Sequence, residues 1–534
     1  MPSPPLIPLT LQAPGHKGLI TKHSDLALDG GWATTLDNAV FDRSGRVTSR
    51  KGYEELSSST DYTSNAPTQM HIFEHNTGST VITSGLDSAT HRIYSGTSTL
   101  TDLTGTITAA TASNWKFANF VDSSGNEKII GMQTGHAMIV SDDGAAFADV
   151  VKSGGSEPPS GDALASCFGR LWGVDSDGLT VQYSALGDET EWNTGAGSFS
   201  TKDYWPGGLD HVVAIHPWED KLIVFGQHNT LVYDGVDNVA SDFVLWDTIA
   251  GNGCIARDSV QSIGSDVVFL SDSGLRSVRK TMVEGKVPLA DFSQAVFSDI
   301  NLLTSGATKT DIKSVYCQGE GFYILFFGQN NTSYMFNVQN LELSRSLPES
   351  QQVSVSKWTS MGVTCAAYSR EEKLYLGVTD SSGNGQVAWY ATYLDGSTTY
   401  TMSYASPWMD LSAEQQPGTW NKIVKKINVT VAGNSSYITT LGLSFNFNDV
   451  SSTYSRAVAA NTDTVSEFEA ASTNVGAEWG TTEWGARADR QEVARYNTRG
   501  YGQFIKVSFS VPVNGYKLSL QQIDLFMKKG RLTI

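Results

Sequence analysis

Cysteine, charge and long apolar runs are all scarce in this chain. Four cysteines, Cys167, Cys254, Cys317 and Cys365, are spread through 534 residues with no C-x-x-C pair. That excludes a dense disulfide framework, argues against a thiolate metal centre, and reads as reduced, buried thiols. Charged residues make up only 17% of the chain, and their balance is acidic, at a formal −18. A protein whose main task is to grip DNA needs clustered Lys and Arg that release counterions from phosphate, so that function class is excluded as the principal one. Passive passage of DNA is compatible with the charge, because like sign keeps a polyanion from sticking. No run approaches the roughly 18 apolar residues of a membrane-spanning helix. The opening Met-Pro-Ser-Pro-Pro-Leu-Ile-Pro has neither a basic n-region nor an unbroken apolar h-region, so a mature chain made in the cytosol, without a secretory signal, is expected.

Ala/Glu/Lys/Leu-rich stretches are also few, whereas Gly, Ser, Thr and aromatics are abundant and hydrophobic residues reach 40%. This balance predicts an all-β chain rich in tight turns. Its length exceeds what one ordinary core supports, so several domains or one repetitive architecture is expected.

A repeat supplies the architecture. An apolar strand, a polar turn and a second strand recur seven times, with markers Val81, Ile129, Leu171, Leu222, Val267, Tyr323 and Leu374 spaced by 48, 42, 51, 45, 56 and 51 residues. Partner strands follow at Arg92-Ile93-Tyr94, Met138-Ile139-Val140, Val181-Gln182-Tyr183, Leu231-Val232-Tyr233, Leu275 to Val278, Tyr334-Met335-Phe336 and Ala388-Trp389-Tyr390. The turns between them carry residues that tolerate positive φ, and Asp-Ser-Ser-Gly-Asn occurs twice, at Asp122 to Asn126 and Asp380 to Asn384. Units of this length predict a β-propeller of about seven blades over residues 61–410, each blade burying its faces against its neighbours. A set of unrelated sandwich hairpins is the alternative. Beyond Pro407-Trp408 the pattern becomes strict alternation, as in Ile427/Val429/Val431, Leu441/Leu443/Phe445/Phe447, Ile505/Val507/Phe509/Val511 and Ile523/Leu525/Met527. That predicts a C-terminal antiparallel β-sandwich over 411–534, with a long polar insertion at about 448–499. Residues 1–60 read as an N-terminal arm and docking segment.

Motifs for chemistry fail on context. His71-Ile72-Phe73-Glu74-His75 spells H-x-x-E-H, but Met70, Ile72, Asn76 and Gly78 suggest a strand, on which residues four apart lie about 13 Å apart and cannot share a zinc ion. Gly383-Asn384-Gly385 sits in a hairpin, not between a strand and a helix, so it is a turn and not a dinucleotide fingerprint. The Asp-rich turns lack an EF-hand loop. Ser141 to Phe147 faintly resembles an Asp-box and reads as a blade turn. The carboxylate pairs Asp188/Glu189, Glu219/Asp220 and Glu371/Glu372 are adjacent, point to opposite faces of a strand and read as solvated surface. No cofactor, metal or catalytic residue is assigned. Trp32, Arg43, Arg46, Arg50 and Lys51 are candidates for a docking interface; the four basic residues among them suit an acidic neighbouring subunit, with phosphate contact as the alternative. Trp479 and Trp484, in the polar insertion, are candidates for a loop that lines a lumen or meets a partner.

Gly30-Gly31-Trp32, Asp37-Asn38, Gly45-Arg46 and Arg50-Lys51-Gly52-Tyr53 resemble the opening of the tail nozzle and DNA-stabilisation proteins of short-tailed phages. Gly169-Arg170-Leu171-Trp172 with Tyr183-Ser184, Gly187-Asp188 and Trp192 looks like a blade of that family, as do Gly253-Cys254, Asp258-Ser259-Val260 and Val268 to Leu275. The C-terminal Phe526 to Arg531 is similar as well. The resemblance implies a non-enzymatic virion protein of the podovirus tail: a homohexameric ring below the portal and adaptor, carrying tail fibres or spikes, closed by a needle or plug, and passing double-stranded DNA transiently without specific binding. A propeller glycan hydrolase and a carbohydrate- or receptor-binding propeller are the competing readings. Converging carboxylates in a central pocket would favour the hydrolase, and self-complementary sides around a channel the nozzle.

Overall fold

The computed structural model describes residues 6–532 apart from 43–44, 58–61, 64, 77, 108–113, 155, 237–242, 284–291, 339–352, 381, 411–419, 434–436 and 459–489. The chain divides into two compact units. One comprises Glu55–Ser333 and Met361–Tyr390, the other Met1–Glu54, Tyr334–Ser360 and Ala391–Ile534.

The first unit is a β-propeller. Its blades begin with innermost strands Gln69–His75, Lys116–Val121, Leu164–Cys167, Val212–Trp218, Gln261–Ile263, Ile312–Cys317 and Cys365–Tyr368. These strands adjoin one another around the ring, and the last meets the first. The expected apolar strands are the second strand of each blade. They pair in register with the expected third strands, as in Leu222↔Tyr233, Ile130↔Val140, Trp172↔Tyr183 and Tyr375↔Trp389. Thr332–Asn337 forms the strand expected around 334–336, and the division between the two units falls within it.

Side-chain alternation explains why these strands are apolar throughout. Within Lys221–Gly226, Leu222 and Val224 join a core with Trp172, Val181 and Tyr183 of the preceding blade. Ile223 and Phe225 join Val260, Val267 and Phe269 of the following one. Both faces are buried, one against each neighbour, which a two-residue period requires. The seam between the last and first blades is built the same way, from Cys365 and Val387 against Met70, Ile72 and Val81. Cys254 sits in another such seam and Cys317 is buried, whereas Cys167 is half-buried. All four cysteines are free thiols. Burial pushes Cys254 up to about 11 and Cys167 and Cys365 up to about 12, which leaves them as unreactive packing atoms.

Blade 5 departs from expectation. Its third strand, Gly274–Ser277, ends before Val278, and the chain turns into the helix Val278–Val283, where earlier blades add a fourth strand. The repeated Asp-Ser-Ser-Gly-Asn turns have repeated geometry. Asp122 accepts from the Ser124 and Asn126 amides at 2.9 and 2.8 Å, and Asp380 from the Ser382 and Asn384 amides at 2.8 and 2.9 Å. Gly125 and Gly383 take φ of 84° and 86°, a region that explains the glycine.

The second unit is a β-sandwich. One sheet runs in the order Arg490–Gly502, Trp420–Gly433, Leu518–Leu532, Val47–Ser49, Ala39–Phe41, with Ile7–Gln12 also on Leu518–Leu532. Another places Thr35–Asp37 between Val355–Thr359 and Tyr400–Ala405, followed by Ile505–Val513, Tyr437–Phe445 and Asn448–Val458. The predicted alternation buries Ile427, Val429, Val431, Leu441, Leu443, Ile505, Val507, Phe509, Val511, Ile523, Leu525 and Met527. Phe447 breaks the pattern: the strand ends at Phe445, and Phe447 takes φ 63° in an exposed turn.

Two boundaries are corrected. The described residues of the segment expected as an arm at 1–60 do not stand apart: Ile7–Gln12 pairs with 522–527, Thr48 with Ser519, and Leu36 with Tyr404. Sheets with apolar faces and open edges need such strands, and the N-terminal segment supplies them. The insertion at 448–499 begins and ends in strand, Asn448–Val458 and Arg490–Gly502. No helix among the described residues is long and apolar enough to cross a membrane.

Trp172 is fully buried in the seam between blades 3 and 4, so Trp172→Ala should lower unfolding free energy by about 3–5 kcal/mol in urea denaturation. Val151→Thr, at a residue 81% exposed, should change it by less than about 0.5 kcal/mol.

Candidate functional site

The residues expected to dock a partner divide sharply in the structure. Arg50 lies wholly inside the sandwich unit, which corrects its assignment to an interface. Its guanidinium bonds both oxygens of Asp395, at 2.7 and 2.8 Å, and its Nε donates to Asn38 Oδ1 at 3.0 Å. The Tyr400 ring lies 4.1 Å from the guanidinium carbon, and Trp358 stacks at 5.9 Å. Asn38, at φ 56°, also accepts from the Thr359 amide at 2.9 Å and donates to Thr401 O at 2.9 Å. Gly52 passes so close to Leu394 that a Cβ would sit 1.9 Å from its carbonyl oxygen, while the Tyr53 amide donates to that oxygen at 2.8 Å. The Asp-Asn and Arg-x-Gly-Tyr motifs are therefore explained by packing: Asp37 pairs with Lys357 and Ser403, and Asn38, Arg50, Gly52 and Tyr53 hold fixed places against 357–401.

Arg46 and Lys51 are half-buried, and the Arg46 backbone closes a turn with Asp42 through bonds of 2.8 and 3.0 Å. Trp32 is half-buried beneath the Lys17 ammonium, 5.9 Å from its ring. Arg43, Trp479 and Trp484 lie outside the described residues.

Within the propeller unit, innermost strands of six blades line a cavity of about 500 Å³. The sequence offered no pointer to it, because its charged groups come from separate blades. Asp258, on the short turn Arg257–Ser259, stands at its centre. Lys313 reaches Asp258 at 2.7 Å, Arg257 at 2.9 Å and Lys116 at 3.1 Å. Lys313 also donates to Gln69 Oε1 and Asn114 Oδ1, at 2.7 and 2.8 Å. Burial by itself would raise the Asp258 carboxyl, but Arg257, Lys313 and Lys116 hold it well below the usual carboxylate range. His71 and His216 also line the cavity. Burial pulls both imidazoles down to about 4, so they are neutral near pH 7.

The H-x-x-E-H motif lies on a strand as expected, and its histidines do not meet. His71 bonds Asn119 at 2.8 Å. His75 instead approaches Glu127 and Asp143 of the next blade, with one potential ligand atom from each within 4.8 Å of the others. Such a His/Glu/Asp set can accept a divalent cation, a capacity that no spacing within one strand disclosed.

The adjacent carboxylates are engaged individually. Glu189 is buried against Lys128, which corrects its reading as solvated surface, while Asp188 accepts from the Thr190 amide at 2.8 Å. Asp220 and Glu371 each pair with a neighbouring lysine at 3.0 Å.

Among solved structures, the chain is similar to the WD40 domain of Neurospora crassa Pan2, at 10% identity over 64% of this chain and 95% of that one, with a TM-score of 0.36. No family model and no curated protein matches it.

Removing one partner of a buried ion pair strands the other, so Asp395→Ala should destabilise the protein by about 3–5 kcal/mol in urea unfolding. A pH dependence follows from His71, His91 and His216, whose folded pKa values of about 4 lie below the ordinary 6.5. Between those values the unfolded chain binds protons that the folded chain refuses. Their contribution is therefore complete above pH 6.5 and is lost as pH falls towards 4. Urea midpoints should fall across this window, and His216→Gln should flatten the slope.

Proposed function

We propose that this protein is a structural subunit of a short phage tail, assembling with copies of itself into a hexameric nozzle below the portal and adaptor and carrying fibres or spikes. The observation that carries the reading is the architectural role of the residues on which the resemblance rests. Asn38, Arg50, Gly52 and Tyr53 organise the interior of the sandwich unit, so a shared pattern at these positions speaks for a shared fold. The propeller contributes stiffness. Its ring of blades closes on itself, last against first, as suits an element that resists pressurised DNA.

The cavity along the propeller axis is of small-molecule size, about 500 Å³, so a duplex conduit has to be formed between copies and not through one disc. Side chains facing that conduit need not bind DNA, and an overall charge of −18 favours passage over retention by contact.

Electron microscopy of the purified full chain, alone and with its cognate adaptor, tests the assembly. Rings with six-fold symmetry around an open channel are the expected outcome. A protein that stays monomeric at micromolar concentration with the adaptor present, or that turns over a glycan, would overturn the proposal.

A further inference from the structure

The axial cavity of the propeller carries a local charge of the opposite sign to the chain as a whole. Around Asp258 stand three cations, Lys116, Lys313 and Arg257, against that one carboxylate, and the other charged residues of the lining, Glu74 and Arg370, offset each other in sign. Asp162 offsets Arg257 only at 4.0 Å and is half exposed. Buried charge of one sign is costly unless a counter-charge accompanies it.

The donors on these cations are not equally engaged. Arg257 uses its guanidinium on Asp258 and on the Asn114 and Asp162 carbonyls, and Lys313 has an acceptor for each of its three N–H groups. Among the described residues Lys116 meets a single acceptor, Asp258 Oδ1 at 3.1 Å, and its ammonium remains partly exposed to the cavity. An ammonium has three donors, so two are left to serve a ligand. His71 and His216 lie near Lys116, neutral at pH 7, so their rings are placed to sense an anion bound beside it.

We propose that this cavity binds a small oxyanion, a phosphate or carboxylate group, held by the Lys116 ammonium. An ammonium with two N–H groups to offer suits an oxygen-bearing anion, which accepts directional hydrogen bonds, better than a spherical halide. The volume admits a small organic phosphate or carboxylate, and not a polymer. The site is contained in one propeller and does not depend on the hexameric reading; either can fail while the other stands.

Calorimetric titration of the full-length chain with inorganic phosphate, and separately with citrate, in chloride buffer at constant ionic strength tests the site and distinguishes the two ligand chemistries. Saturable binding of at least one is expected, weakened about tenfold or more by Lys116→Gln and retained by Lys116→Arg. Should Lys116→Gln fail to fold, the imidazole resonances of His71 and His216 in the wild-type chain give a variant-free readout, and both should move on addition of the bound anion. Absence of saturable binding by both probes, binding that Lys116→Gln leaves unchanged, or histidine resonances unmoved at saturation would overturn the proposal.

Discussion

A sheet whose strands are apolar on both faces cannot be left with either face in water, and the propeller unit is organised around that constraint. Leu222 and Ile223 are neighbours in sequence, yet they belong to different cores because consecutive side chains point to opposite sides of the sheet. Every blade thereby depends on two others. The dependence ends only when the last blade, through Cys365 and Val387, meets the first at Met70, Ile72 and Val81. Closure is thus a requirement of burial, and the helix that replaces a strand in blade 5 is tolerated because Val278 still fills the seam with blade 4.

Charge is handled differently from apolar surface. In the sandwich unit Arg50 and Asp395 neutralise each other one to one, with Asn38, Thr359 and Tyr400 completing the shell. That arrangement is closed and structural. In the propeller, Asp258 faces three cations around a cavity, and the imbalance is what makes the place receptive to a further anion. A balanced buried pair specifies a fold, whereas an unbalanced one beside open space offers a site.

The repeat was legible because its signal is local. Apolar hairpins, Asp- and Gly-bearing turns and period-two runs such as Ile505 to Val511 are each contained in a few residues, and they appear in the structure close to where the sequence places them. The N-terminal segment was misjudged for the complementary reason. Ile7, Leu9 and Leu11 alternate as a strand should, but the partner strand lies at 522–527, and nothing near Ile7 indicates it. Glu189 looked like solvated surface because its lysine belongs to another blade.

What the sequence determined by itself is therefore the class of module: an all-β chain, its hairpins, the seven-fold recurrence and the alternating strands that follow. Only the tertiary structure decided that Arg50 is an internal clamp and not a docking residue, that His75 and not His71 approaches two carboxylates, and that Asp258 gathers cations at an axial cavity. The physical reason is distance along the chain. Periodicity and turn chemistry act over a few residues, while Arg50 and Asp395 are 345 residues apart, with the strands of every blade between them in the chain, and meet only in the folded protein.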